Sequence, residues 1–89
     1  MKTVHLEITG QVQGVFFRVK AKEVAELNNI SGWIKNTKDG KVEAQITGKD
    51  ADVEAFIAWC KKGPEKAKVY NVLMTYSTVK KFDKFEIIR

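Results

Sequence analysis

One arginine and one asparagine stand out for what their side chains can do to a phosphate. The arginine closes the segment Gly10-Gln11-Val12-Gln13-Gly14-Val15-Phe16-Phe17-Arg18, which joins an alternating run, Val4 to Ile8, to a helical run beginning near Phe17. Glycines at positions 10 and 14 permit tight turning, so that several successive N–H groups can point into one concavity and favour an anion. The following helix adds unpaired N–H groups and the positive end of its dipole. Of the 16 basic residues only Arg18 and Arg89 are arginine, so lysine served wherever plain positive charge was enough. What distinguishes Arg18 is a planar fork that can hold two phosphate oxygens at once. A solvated arginine in the first turn of a helix is the simpler reading, and the loop by itself leaves it open.

The asparagine is Asn36, in Gly32-Trp33-Ile34-Lys35-Asn36-Thr37-Lys38-Asp39-Gly40-Lys41-Val42-Glu43. It falls inside a predicted strand, Trp33 to Lys38, where asparagine is disfavoured. Either it caps a hairpin, or its uncharged amide accepts from a water and donates to an oxyanion without bringing negative charge near a phosphate. Cys60, alone on an apolar helix face, is expected in the core, since nothing beside it in sequence would lower its pKa. The only histidine, His5, falls on the wet face of the first strand.

The elements that must position these groups follow from periodicity. Val4, Leu6 and Ile8 alternate with His5, Glu7 and Thr9, as in a half-buried strand. A helix from about Phe17 to Asn28 places Phe17, Ala21, Val24 and Ala25, with Leu27 beside them, on one side. Asn28-Asn29 ends it, the second strand follows, and Asp39-Gly40 predicts a two-residue hairpin. A third strand, Lys41 to Thr47, buries Val42, Ala44 and Ile46. Asp50 is the expected N-cap of a second helix carrying Val53, Phe56, Ile57 and Cys60, which Lys61-Lys62-Gly63-Pro64 stops. Strands from about Lys68 to Tyr76 and from Phe82 to Ile88 complete the chain.

The order β-α-β-β-α-β, with an extra C-terminal strand segment, predicts an α+β, ferredoxin-like two-layer sandwich: an antiparallel sheet with two helices on one face. In that topology the first two strands run parallel with the third between them. Asn36 and the Gly10 to Arg18 loop then emerge at the same end.

Composition sets bounds. The 89 residues suit one domain, with 44% hydrophobic and 30% charged residues. The apolar run Phe56 to Cys60 is far short of the roughly 20 residues that cross a bilayer, and no signal peptide opens the chain. One cysteine allows no internal disulfide, which fits a reducing cytoplasm. A net charge of +5 favours anionic partners but does not choose between nucleic acid and a small phosphorylated molecule. The lysines are scattered, unlike the stripe of a duplex binder.

Taken together the two segments resemble the acylphosphatase family. Its first signature is similar to Gly10 to Arg18, and its second to Gly32-Trp33-Ile34-Lys35-Asn36 followed by Gly40, Val42 and Gly48. Gly63-Pro64, Ala67 and Val69, and then Phe85-Glu86-Ile87, extend the likeness over nearly the whole chain, residues 1–89, as a single acylphosphatase-like domain. Departures are Ile34, where a smaller residue is usual, and Glu65, where a second proline is common. The resemblance implies metal-independent hydrolysis of an acyl phosphate to a carboxylate and inorganic phosphate. It gives catalytic roles to Arg18, which binds phosphoryl oxygens, and to Asn36, which positions the attacking water. Substrate-binding roles go to the backbone amides of Gln13, Gly14, Val15, Phe16 and Phe17. No metal or cofactor is implied, and the partner is a small acyl phosphate, without nucleic acid or membrane, met by a cytoplasmic monomer. The acyl side is left to Thr37 and neighbouring surface. The alternative is a small ferredoxin-like binding module for a metabolite or nucleic acid. The nucleic-acid version wants an aromatic platform on the open sheet face, and the inner strands show His5, Glu7, Thr9, Lys41, Glu43 and Gln45 there.

Overall fold

The computed structural model describes residues 1–89. Its elements are β1 (Lys2–Gln11), α1 (Phe17–Leu27), β2 (Ser31–Asn36), β3 (Val42–Gly48), α2 (Asp50–Lys62), β4 (Lys68–Ser77) and β5 (Phe85–Ile88). The five strands form one sheet in the order β4-β1-β3-β2-β5. β1 and β2 each pair antiparallel with β3 between them, so they run parallel to each other.

The alternation of β1 and β3 decides which face is covered. Val4, Leu6, Ile8, Val42, Ala44 and Ile46 are fully buried, as their period requires, beneath Phe17, Ala21 and Ala25 of α1 and Val53, Phe56, Ile57 and Cys60 of α2. Aromatic contacts knit the layers: Phe17 lies 5.2 Å from Trp59 and Phe56 lies 5.9 Å from Phe85, centroid to centroid. The opposite face carries charge, with His5 Nε2 2.6 Å from Glu43 Oε2 and Lys41 Nζ 2.9 Å from Glu7 Oε1.

Several local expectations need correction. The sheet is mixed rather than antiparallel, because β5 pairs parallel with β2, Gly32 opposite Phe85 and Lys35 opposite Ile88. A chain that turns back at the end of edge strand β4 must run antiparallel to it, and that is the direction of β2. Residues 78–84 make the crossing from one sheet edge to the other, and the Lys80 N–H donates to Thr3 Oγ1 at 2.8 Å on the way. Leu27 is 84% exposed: two residues past Ala25 is a rotation of about 200°, off the buried stripe. α1 ends in a Schellman arrangement, with Asn29 left-handed at φ 55 and the Ile30 N–H reaching Ala25 O at 2.8 Å. The N-cap of α2 is Lys49, with no side-chain cap, and Asp50 lies inside the first turn beside Asp52. Both aspartates meet the helix dipole there instead.

The β2–β3 hairpin is longer than expected. Among its residues only Gly40 has a positive φ, at 89, whereas a two-residue type I′ turn needs positive φ at both central positions. The Thr37 N–H donates to Lys41 O at 2.9 Å and the Gly40 N–H to Thr37 O at 3.3 Å, which leaves Lys38, Asp39 and Gly40 as a three-residue loop. β2 therefore ends at Asn36, and this residue closes the strand instead of lying inside it.

Candidate active site

The loop between β1 and α1 is built from the inside out. Val12 is buried, Val15 packs against the core and Phe17 is 2% exposed, so apolar side chains pin the segment inward. The backbone between them is turned by two left-handed residues, Gly14 at φ 73 and Phe16 at φ 63. Such left-handed positions among right-handed ones aim successive N–H groups into a common concavity. At Gly14 the demand is conformational only, since a Cβ would meet nothing within 4 Å. Gly10 does something else: it lies in β1 at a bulge against β4, where a Cβ would stand 2.0 Å from Lys68 O. It permits close strand approach and does not shape the cradle.

No N–H from Gln13 to Phe16 donates to a backbone carbonyl of the chain, and the first helical bond is Lys20 N–H to Phe16 O at 3.1 Å. The amides of Phe17, Arg18 and Val19 head α1, where a helix has no internal acceptor to offer. Phe16 is the N-cap and supplies no side-chain bond, and no acidic residue occupies the first turn. A run of amides is thus presented together, reinforced by the helix dipole, with half-buried Arg18 in that turn. Holding Phe16, a non-glycine aromatic, in the left-handed region costs about 1–3 kcal/mol, and strain of this kind collects at functional sites.

Register brings Asn36 to the same end of the sheet. Ile8, Val42 and Asn36 lie in one row across β1, β3 and β2, two strand spacings or about 9–10 Å from end to end. Asn36 shares the parity of Ile34, so its side chain points to the helix-covered side of the sheet. There Oδ1 is buried and has no hydrogen-bond partner.

The physical link between the two halves is Gln13. Its Nε2 donates to Thr37 O at 2.9 Å and to Lys41 O at 2.8 Å, stapling the amide loop to the carbonyls that flank the hairpin next to Asn36. The resemblance assigned Gln13 only a backbone role, and no spacing rule marks a loop glutamine as a brace. Removing this brace should be measurable. Gln13→Leu should lose about 1–3 kcal/mol of stability in denaturant unfolding, the net worth of two hydrogen bonds. It should also bind inorganic phosphate more weakly by calorimetry. Gln13→Glu should be worse on both counts, because an acceptor-only carboxylate then faces two carbonyls.

Hairpin capping, the other reading of Asn36, is carried out by Thr37. Its Oγ1 accepts the Lys41 N–H at 3.0 Å and donates to Asp39. That hydrogen bond, then the nearby Lys41 charge, hold the Asp39 carboxyl below its ordinary range, while Glu7 raises Lys41 by accepting its hydrogen bond. Thr37 is therefore occupied in the hairpin and is poorly placed to receive the acyl side of a substrate.

The remaining reactive side chains take no part. Cys60 is wholly buried and burial pushes its thiol well above the ordinary range, so it is a core residue. No cluster of three or more His, Cys, Asp or Glu has the placement to hold a metal ion. On the open face the one aromatic residue of β2 is Trp33, edge-on to His5 at 6.3 Å and covered by Lys35 at 5.5 Å. A single ring so occupied is no stacking platform for bases. No helix is long and apolar enough to cross a membrane.

These observations agree with known proteins. The family model described as Acylphosphatase matches residues 4–87. The acylphosphatase of Haloarcula marismortui is 41% identical over 83 residues, covering 93% of this chain and 91% of that protein. That of Thiobacillus denitrificans is 49% identical over 72 residues, with 81% of each chain covered. The crystal structure of acylphosphatase from Bacillus subtilis superposes with a TM-score of 0.96 at 30% identity and full coverage of both chains. With a family match over nearly its whole length and relatives this close, the chain belongs to the acylphosphatase family.

Proposed function

We propose that the protein hydrolyses the carboxyl-phosphate anhydride of small acyl phosphates, and that residues 1–89 do so as one domain, a monomer working in the cytoplasm. The observation that carries this is the run of amides from Gln13 onward without carbonyl partners, braced by Gln13 against the strand end bearing Asn36.

In this reading the amides of Gln13, Gly14, Val15, Phe16 and Phe17 and the guanidinium of Arg18 hold the phosphoryl oxygens. Asn36 Oδ1 accepts a hydrogen bond from the attacking water. The water oxygen bonds to phosphorus as the phosphorus–acyl oxygen bond breaks, and the carboxylate departs with that electron pair. Both water protons end on the phosphate, so a dianionic acyl phosphate and water give a carboxylate anion and dihydrogen phosphate. No residue need act as base, because the phosphoryl oxygens can take the proton and the leaving carboxylate needs none. Loose phosphoryl transfer asks chiefly for position and charge stabilisation, which amides and a guanidinium supply.

Phosphate release from acetyl phosphate tests the reading. Activity should persist in excess chelator, since the proposed machinery contains no metal ligand. Loss of activity with chelator and its recovery on adding a divalent metal would overturn the mechanism.

A further inference from the structure

The sheet ends in two edges of different character. β5 has four residues and is flanked by Lys84 and Arg89, so short length and charge guard it. β4 runs ten residues from Lys68 to Ser77, has β1 as its one neighbour, and carries no charge or proline after Lys68. Tyr70, Leu73, Met74 and Tyr76 are all exposed along it. Its one irregularity is the bulge at Tyr70, between the pairs Gly10 with Val69 and Thr9 with Asn71, which leaves Asn71 to Ser77 as a regular, uncharged edge.

Along that edge α2 presents one stripe. Glu54, Ile57, Ala58 and Lys61, three and four residues apart, line a groove of about 280 Å³ together with Met74 and Tyr76. Lys61 also lines a hollow with Val69, Tyr70, Asn71 and Val72, so it lies beside the first half of β4 and Glu54 beside the second. The stripe therefore reads acid, apolar, apolar, base. Neither Glu54 nor Lys61 has an ion-pair partner in the chain.

This pattern is complementary to itself. About a two-fold axis through Leu73, a second copy pairs antiparallel with the first: Leu73 faces Leu73, Val72 faces Met74 and Asn71 faces Thr75. Such an axis has to pass through a residue, because only then do residues of like parity meet and the helix-covered face continue from one copy into the next. The same rotation reverses the α2 stripe, so that Glu54 of each copy meets Lys61 of the other with Ile57 and Ala58 between them. We infer that β4 is the docking edge for a second copy of this chain, joining two sheets into one. Charge complementarity points to a second copy, since a strand from an unrelated protein has no reason to match both ends of the stripe. The single chain remains the catalytic unit, because Arg18 opens α1, Asn36 ends β2 and the cradle amides precede α1, all away from β4 and α2. One strand pair and one groove make an interface at the small end of the specific range, so dilute protein is the monomer proposed above and Kd is on the order of 10–100 µM.

Sedimentation equilibrium from tenfold below to tenfold above that Kd should show the mass rise from 10.1 kDa toward twice that value and stop there. Glu54→Lys and Lys61→Glu each set two like-charged pairs across the axis, and each should weaken association about tenfold or more. Mixing the two variants, or placing both substitutions in one chain, restores opposite charges and should return Kd to within about threefold of the parent. A parent that stays at 10.1 kDa throughout overturns the inference, whatever strand of another protein is then shown to bind the edge. So does association that both single variants leave unchanged, or a mass that climbs past the dimer, which marks open-ended aggregation and not a closed pair. If either variant fails to fold, hydrogen exchange on the parent decides. Exchange that slows with concentration at β4 amides supports the inference, and exchange at β4 that does not change overturns it.

Discussion

Arg18→Ala should hydrolyse acyl phosphates at sub-saturating concentration more slowly by a factor of roughly 30 to several thousand, and should bind inorganic phosphate correspondingly less well. The range is the 2–5 kcal/mol typical of truncating one member of a desolvated charge pair. Both quantities should move together if, as proposed, the guanidinium holds the phosphoryl group before, during and after transfer, since its loss is then felt in ground and transition states alike. Fifteen other basic residues and a net charge of +5 do not replace it, since diffuse charge steers an anion without fixing it. Arg18→Lys should fall between the two, restoring the charge but not the two-pronged grip. Stability should not fall with activity. Arg18 is the second residue of α1, whose first turn has no acidic side chain. A cation there opposes the helix dipole, so alanine should leave the melting temperature level or slightly higher, the relief being about 0.3–1 kcal/mol at most. Unaltered phosphate affinity in Arg18→Ala would remove Arg18 from the site.

The fold was legible because its main signals are periodic. Val4, Leu6 and Ile8 against Val42, Ala44 and Ile46 declare both the strands and the covered face, and all six are fully buried. What stayed hidden depends on partners distant in sequence. Nothing local to Phe85 to Ile88 says that the chain will cross the sheet and pair parallel with β2. Turn residues misled for a local reason: Asp39-Gly40 reads as a two-residue loop, but Thr37 uses its hydroxyl to take the Lys41 N–H and settles the longer loop. Gly10 reads like Gly14, yet only contact with Lys68 across the sheet reveals that it serves packing.

The candidate site was legible as residue types and not as energies. Arg18 and Asn36 could be singled out by their chemistry, and topology could put them at one end. That Phe16 is left-handed, that Arg18 opposes a helix dipole and that Asn36 Oδ1 is buried without a partner emerge only in three dimensions. Each feature costs stability locally, and all three lie at one end of the sheet. Concentrated local cost is what a preorganised site leaves behind, because the surrounding fold must hold groups where they would not go unaided.

Asn36→Ala should therefore separate turnover from stability and from binding. If Oδ1 orients the attacking water, its work is done as the new bond forms, and kcat should fall on the order of 10²–10³-fold, as when one positioned polar group of a transition state is lost. Phosphate affinity should change little, since the amides and Arg18 remain. Stability should hold or rise. The Oδ1 atom is buried and unpartnered, a state that costs about 1–3 kcal/mol, and alanine removes the acceptor along with the cost. For a chain of this size each kcal/mol is worth roughly 4–8 °C in melting temperature, so a gain would be visible by calorimetry. Asn36→Asp sharpens the point: it keeps an acceptor for the water but sets a negative charge near the phosphoryl group, and it should lose phosphate affinity as well as rate. A variant that melts early while keeping its turnover per folded molecule would make Asn36 structural. The hairpin already has Thr37 for that task, with hydrogen bonds to Lys41 and Asp39 that do not involve Asn36.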